Sequence, residues 1–258
     1  MMKLEKKDMQ GIAPLFINLT DTVILSCLQG YMGQAWADQR EQPTCGQIIV
    51  GDFCFFAGDS SCSQARVLVE NIPKECGDSL YMISGDEGWE NLVEQTYGNR
   101  CRRFERYGFY KGNENFDVQQ LQGYIDRLSP MYEIVPIDSK IYALVKENVW
   151  SKDFCAQFSS YEEFKQQGLG FCVLHNNVVV CGASSYSVYD DGIEIEIATK
   201  EGYRQQGLAT ACAAQLILTC LSQGKYPSWD AANKTSVALA TKLGYRFDKA
   251  YTTYEVYR

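Results

Sequence analysis

Residues 193–209 read IEIEIATKEGYRQQGLA, an alternating strand that runs into a glycine turn and from there into a helix. Ile193, Ile195 and Ile197 fall on one face and Glu194 and Glu196 on the other, the period-two pattern of a half-buried strand. Behind the turn, Thr210–Ser222 is a long helix-compatible run. Gly207 and Ala209 carry little or no side chain where an anion would approach the backbone. The helix start adds unpaired N–H groups and the positive end of a dipole, a ready site for a pyrophosphate. The chain contains neither GxxxxGK[ST] nor GxGxxG, which excludes a P-loop and a dinucleotide fingerprint.

A length of 258 residues allows one large domain or two of ordinary size. An apolar content of 46% and an aromatic content of 13% supply a packed core and argue against disorder. No run approaches the length of a spanning helix, and MMKLEKKDMQG lacks the apolar stretch of a signal peptide. A cytoplasmic protein with no membrane partner is expected. The net charge of −8 sits mostly in residues 1–130, where 12 Lys and Arg face 18 Asp and Glu. Such a surface disfavours nucleic acid and favours small cationic or neutral partners. Arg100, Arg102, Arg103 and Arg106, interleaved with Phe104 and Tyr107, read as the outward face of a strand. There are eleven cysteines but no Cys-x-x-Cys pair, and His175 is the only histidine, so no metal site is expected. Cys54, Cys172, Cys181, Cys212 and Cys220 lie in apolar runs and read as small buried hydrophobes kept reduced.

From Tyr132 onward the pattern is strand (132–136), a helix capped by Ser139 through Trp150, and a second helix (160–167) with a Ser160/Glu163 capping box. Strands follow at 169–174, 178–189 and 193–199, then the helix at 207–223 and a short strand at 226–230. A helix at 235–243 closed by Gly244 precedes two last strands, 245–249 and 252–257. The first half shows helical patterning over roughly 8–29, strands at 47–50, 53–56, 66–70 and 80–83, a helix at 86–97 and a strand at 101–109.

Arg204-Gln205-Gln206-Gly207-Leu208-Ala209 resembles the Arg/Gln-x-x-Gly-x-Gly/Ala acyl-CoA pyrophosphate loop of the GNAT superfamily of N-acetyltransferases. Asn233, Leu239, Lys242 and Gly244 fall in register with the family's second motif, Asn-x-x-Ala-x-x-Leu-Tyr-x-Lys-x-Gly-Phe, with Tyr245 in place of Phe. The element order over 132–258 is similar to the whole GNAT core. The resemblance implies an α/β (α+β) fold with a mixed central sheet flanked by helices. A boundary near Ser129-Pro130 divides a domain at 1–130 from a GNAT domain at 131–258. Segments 80–107 and 226–251 share the outline strand, capped helix, glycine, strand. Residues 1–130 are therefore either a degenerate GNAT-like copy without the loop or an independent α/β addition. GDFCFFAG at 51–58 resembles a bacterial GNAT group with an extra N-terminal domain.

The resemblance further implies acetyl-CoA as co-substrate. The backbone of Ile197, Ala198 and Thr199 would pair with the pantetheine arm and aim an N–H at the thioester oxygen. Arg204 opens the loop, and the N–H groups of Gln205, Gln206, Gly207, Leu208, Ala209 and Thr210 would hold the pyrophosphate. Asn233 would contact pantetheine, a role compatible with capping the next helix. An alkylammonium acceptor needs a base, and Glu196 or Glu194 could serve, although alternation alone equally fits a solvent-facing edge. His175 lies in a surface turn, His-Asn-Asn. Where many family members have a proton-donating tyrosine this chain has Ala240, leaving Ser236 and Tyr203 as the nearest hydroxyls. CoA leaves as a low-pKa thiolate without an acid. Two readings stand: an N-acetyltransferase for a small amine, with a homodimer left open, or a non-catalytic CoA-binding or regulatory module.

Overall fold

A computed structural model of the chain describes residues 1–257. It divides into two compact units, Met1–Arg106 with the chain from Ala250 onward, and Tyr107–Lys249. The first unit contains β1 (Met2–Lys3), α1 (Lys6–Met9), α2 (Thr22–Leu28), β2 (Gln34–Ala37), β3 (Cys45–Val50), β4 (Phe53–Gly58) and α3 (Ala65–Glu70). It continues with β5 (Ser79–Ser84), α4 (Glu87–Tyr97) and most of β6 (Cys101–Phe109). Its seven-stranded sheet runs β1-β2-β3-β4-β5-β12-β6, where β12 (Phe247–Tyr257) slots between β5 and β6. Every neighbouring pair from β1 to β4 is antiparallel, and β4 lies parallel to β5. Asp21 and Asp86 start α2 and α4 by accepting from backbone N–H groups of the first turn. Trp89 of α4 is fully buried, stacks on Phe56 at 5.3 Å and donates its indole N–H to the Gly58 carbonyl.

The stretch 66–70, expected as a strand, is part of helix α3. Ala65, Leu68 and Val69 are buried at helical spacing while Arg66, Val67 and Glu70 face out, and Arg66 pairs with Glu70 four residues on at 3.3 Å. Arg102 and Arg103 lie on the outer surface of β6, paired with Glu255 and Glu90. Arg106 turns inward instead, its guanidinium 4.8 Å from the Phe53 ring centroid. While Cys54, Cys172, Cys181, Cys212 and Cys220, read as reduced buried hydrophobes, are free and buried, Cys45 of β3 and Cys62 are joined in a disulfide. Their spacing carries no signal because β4 separates them in sequence.

The second unit holds α5 (Val118–Asp126), β7 (Tyr132–Pro136), α6 (Ser139–Lys146), α7 (Tyr161–Gln167), β8 (Gly170–His175), β9 (Val178–Tyr189) and β10 (Gly192–Thr199). It ends with α8 (Leu208–Ser222), β11 (Tyr226–Ser228) and α9 (Lys234–Leu243). Its sheet runs β11-β10-β9-β8-β7, antiparallel throughout except for the parallel pair β10/β11. Beyond β11, Tyr107 pairs with Ala231, and the Tyr110 N–H reaches the Arg246 carbonyl, so the end of β6 runs between β11 and the start of β12. This repeats the strand order and directions of the first unit. In each unit a strand, an Asp86- or Asn233-capped helix, a positive-φ glycine (Gly98, Gly244) and a further strand follow one another.

The division at 106/107 and 249/250 differs from the boundary expected near residue 130. Residues 118–126 form helix α5 packed on α8 within the second unit, and β6 and β12 each pass from one unit into the other. The two strands expected at 245–249 and 252–257 are the single β12, since Ala250-Tyr251 offers no turn residue. Asp138, not Ser139, caps α6, accepting from Ile141 N–H at 2.8 Å, and the helix stops at Lys146. Ser160 caps α7 as expected, while Glu163 accepts from the Ser159 N–H at 2.7 Å. Among the described residues no helix is long and apolar enough to cross a membrane.

Candidate functional site

Strands β10 and β11 pair only over Gly192–Glu194 and Tyr226–Ser228, whereas β10 continues to Thr199. The divergence leaves a cleft of about 650 Å³. Ile197, Ala198 and Thr199 form one wall; Tyr203, Arg204, Gln205, Gly207, Leu208, Ala209 and Thr210 form the loop end. Asn233, Thr235, Ser236 and Leu239 of α9 complete it. Of the residues expected to bind the donor, only Gln206 does not line the cleft. Its side-chain carbonyl accepts from the Tyr132 hydroxyl at 2.5 Å and so is held by β7.

The loop is shaped by two left-handed residues, Gln205 (φ 61°) and Gly207 (φ 80°). A Cβ at Gly207 would meet nothing within 4 Å, so conformation and the open cleft, not packing, call for glycine. Helices α2, α4, α5, α6, α7 and α9 each carry a side-chain cap from Asp, Ser or Asn. Helix α8, the longest at 15 residues, starts at Gly207 with none. Its first N–H groups and its positive dipole end face the cleft, which suits a bound anion. Arg204 Nε donates to the Thr199 carbonyl at 3.3 Å, tying the loop back to the end of β10. The Tyr203 hydroxyl lies 3.1 Å from Nδ1 of His175, whose ring packs on Tyr132. The one histidine thus braces the loop from the β8 end.

Asn233 caps α9, its side-chain oxygen accepting from Ser236 N–H at 3.0 Å, and it also lines the cleft. Ser236 Oγ accepts from the Trp229 indole at 3.1 Å. Thr235 went unrecognised in the sequence, although it stands four residues before Leu239 on the face of α9 that Asn233 begins. Ala240 is fully buried, so that position offers the cleft no hydroxyl.

Glu194 and Glu196 share a face of β10, as alternation requires, but neither lines the cleft. Glu194 is only 5% exposed and sits where β10 and β11 part, opposite Ser187 and Ser228. Lys111 Nζ donates to Ser228 Oγ at 2.7 Å beside it. Burial pushes the Tyr226 phenol up to about 12, with the Glu194 charge adding to the shift, so this neighbour stays protonated at neutral pH. Glu196, half-buried, stands opposite Ser184 and one residue before the cleft wall.

Residues 13–254 match the profile of the GNAT acetyltransferase family. The match begins well inside the first unit, so the family pattern is not confined to 132–258. An uncharacterized N-acetyltransferase of Bacillus subtilis (strain 168), YdfB, is 28% identical over 200 residues, covering 68% of this chain and 77% of that one. A GCN5-related N-acetyltransferase-like protein from Streptococcus suis 89/1591 superposes with a TM-score of 0.90 at 40% identity, covering 98% of this chain and 99% of its own. A tandem GNAT protein from the clavulanic acid biosynthesis pathway shares the fold at 9% identity, with a TM-score of 0.59 over 99% of this chain and 97% of its own.

Proposed function

Because the chain belongs to the GNAT acetyltransferase family, we propose that it transfers the acetyl group of acetyl-CoA to the amine of a small acceptor, with the donor in the cleft beside β10. The observation that carries the reading is the uncapped start of α8 behind a left-handed glycine, open to the cleft. Backbone N–H groups from Gln205 to Thr210 bind the pyrophosphate. The stretch of β10 at Ile197–Thr199, paired with β9 but past the end of its pairing with β11, takes the pantetheine arm and turns an N–H toward the thioester oxygen, where negative charge grows during attack.

A carboxylate of β10, Glu196 or Glu194, accepts the proton of the acceptor ammonium. The freed amine lone pair then attacks the thioester carbon; the C–N bond forms, the C–S bond breaks and CoA departs as thiolate. The amide nitrogen sheds its second proton, and the thiolate is reprotonated from solvent or from the Ser236 or Tyr203 hydroxyl. The acidic surface favours a small cationic amine over nucleic acid as acceptor.

The buried Ala240 favours a second reading, a CoA-binding module without turnover. Calorimetry with acetyl-CoA, followed by CoA-thiol release across a panel of amines, separates the two. Binding with release supports the enzyme, binding without release the module. Absence of binding refutes both.

A further inference from the structure

The hairpin turn at Asn176 and Asn177, both left-handed at φ 50° and 63°, fixes His175 at the end of β8, with Tyr132 of β7 directly opposite. The His175 ring packs against two phenols, with centroids 5.3 Å from Tyr132 and 5.6 Å from Tyr203. Tyr203 belongs to the loop that joins β10 to α8, and its hydroxyl is 3.1 Å from His175 Nδ1. Either tautomer can make this pair, because a hydroxyl gives or accepts. Tyr132 reaches the same loop, its hydroxyl donating to Gln206 Oε1 at 2.5 Å. These two bonds bracket Arg204 and Gln205. Gln205 holds a left-handed φ of 61°, a conformation that costs any residue with a Cβ. Residues 201–206 are exposed apart from the half-buried Tyr203, so burial does not hold the loop in this shape.

We propose that Tyr132 and His175 are positioning residues for the donor: together they lock the loop, before any ligand arrives, in the shape that binds acetyl-CoA. The proposal rests on the acetyl-CoA reading above. A loop ordered in advance spares the ligand the entropy of ordering it, and the saving appears as affinity. Tyr132 and His175 stand outside the cleft lining, so both act through Tyr203 and Gln206. The chain's one histidine thus serves the donor site from one contact away.

The test combines calorimetry with acetyl-CoA and amide exchange of the ligand-free full chain, for wild type, Tyr132→Phe, His175→Phe, His175→Gln and Gln206→Leu. Tyr132→Phe and His175→Phe keep an aromatic ring and lose one hydrogen bond each. Each should weaken acetyl-CoA binding about fivefold, the scale of one neutral hydrogen bond. Exchange should quicken over residues 201–206 while β8 and β9 keep their protection. His175→Gln, which restores a partner for the Tyr203 hydroxyl, should recover part of the affinity lost in His175→Phe. Gln206→Leu should match Tyr132→Phe, and the double variant should lose no more than either alone, because both break the same bond. Wild-type affinity in both ring-keeping variants, or unaltered exchange over 201–206, overturns the proposal while the acetyl-CoA reading stands. So does a loss of protection that spreads to β8 and β9, the mark of general destabilisation. If wild type does not bind acetyl-CoA, that reading fails and the proposal with it.

Discussion

Two carboxylates two residues apart on β10 have different surroundings. Glu194 is sealed at the point where β10 and β11 part, and Glu196 borders the cleft wall. Replacing the working base with Gln should lower kcat about 10²-fold while acetyl-CoA affinity changes little, measured by CoA-thiol release and calorimetry. Equal activity in both single variants and the double variant would move the base elsewhere. Asn233→Ala should cost about 1 kcal/mol of stability through the lost cap and should also weaken acetyl-CoA binding. A variant with normal donor affinity would leave Asn233 a cap alone. On β12, hydrogen bonds from Tyr257 and Arg102 hold the Glu255 carboxyl below its usual value of 4.5. A carboxyl depressed by folding stabilises above its unfolded pKa and loses that contribution as pH falls through the folded one. Glu255→Gln should therefore lower Tm near neutral pH and narrow its gap to wild type in acid below about 4.5, by thermal melts across pH. At this scale the sequence was legible where chemistry is local: the caps at Asn233 and Ser160 and the open glycine at 207 all follow from side-chain type. Gln206 was not, since only the fold brings Tyr132 to its amide.

Among elements, α8 depends most on what it lacks. Gly207→Ala should cost about 1 kcal/mol, because the left-handed conformation penalises a Cβ even in open space. Gly207→Glu should go further and abolish acetyl-CoA binding by setting a carboxylate against the pyrophosphate site. Unchanged affinity in calorimetry would remove the loop from the donor site. Helix α8 is apolar nearly all round because α5 covers one side and the sheet another. Amphipathic periodicity marked α4, α7 and α9 well. It failed at α3, where six residues give too short a window to tell Ala65-Leu68-Val69 from a strand. Helix α5, capped by Asp117, drew no expectation although Val118, Leu121 and Ile125 recur at helical spacing. The parallel pair β10/β11, which opens the cleft, depends on pairing across the intervening α8 and cannot be read from either strand alone.

Across the whole molecule, the two units share strand order and direction, and the first is completed by the chain from Ala250 onward, outside its continuous stretch 1–106. The duplicated outline at 80–107 and 226–251 was visible in sequence; the exchange of β6 and β12 was not, because strand partners far apart leave no local trace. Truncation after Lys249 should remove buried Tyr254 and Val256 from the middle of the first sheet and unfold that unit, seen as loss of amide protection at β4 and β5. Retained protection there would show that β12 is dispensable. The same threading constrains how the protein is born. A ribosome emits residues 1–106 long before 250–257, so the nascent first unit waits with a gap between β5 and β6 while the rest is translated. Biogenesis thus favours one late closure over stepwise domain-by-domain maturation, and leaves the facing edges of β5 and β6 unpaired until it happens.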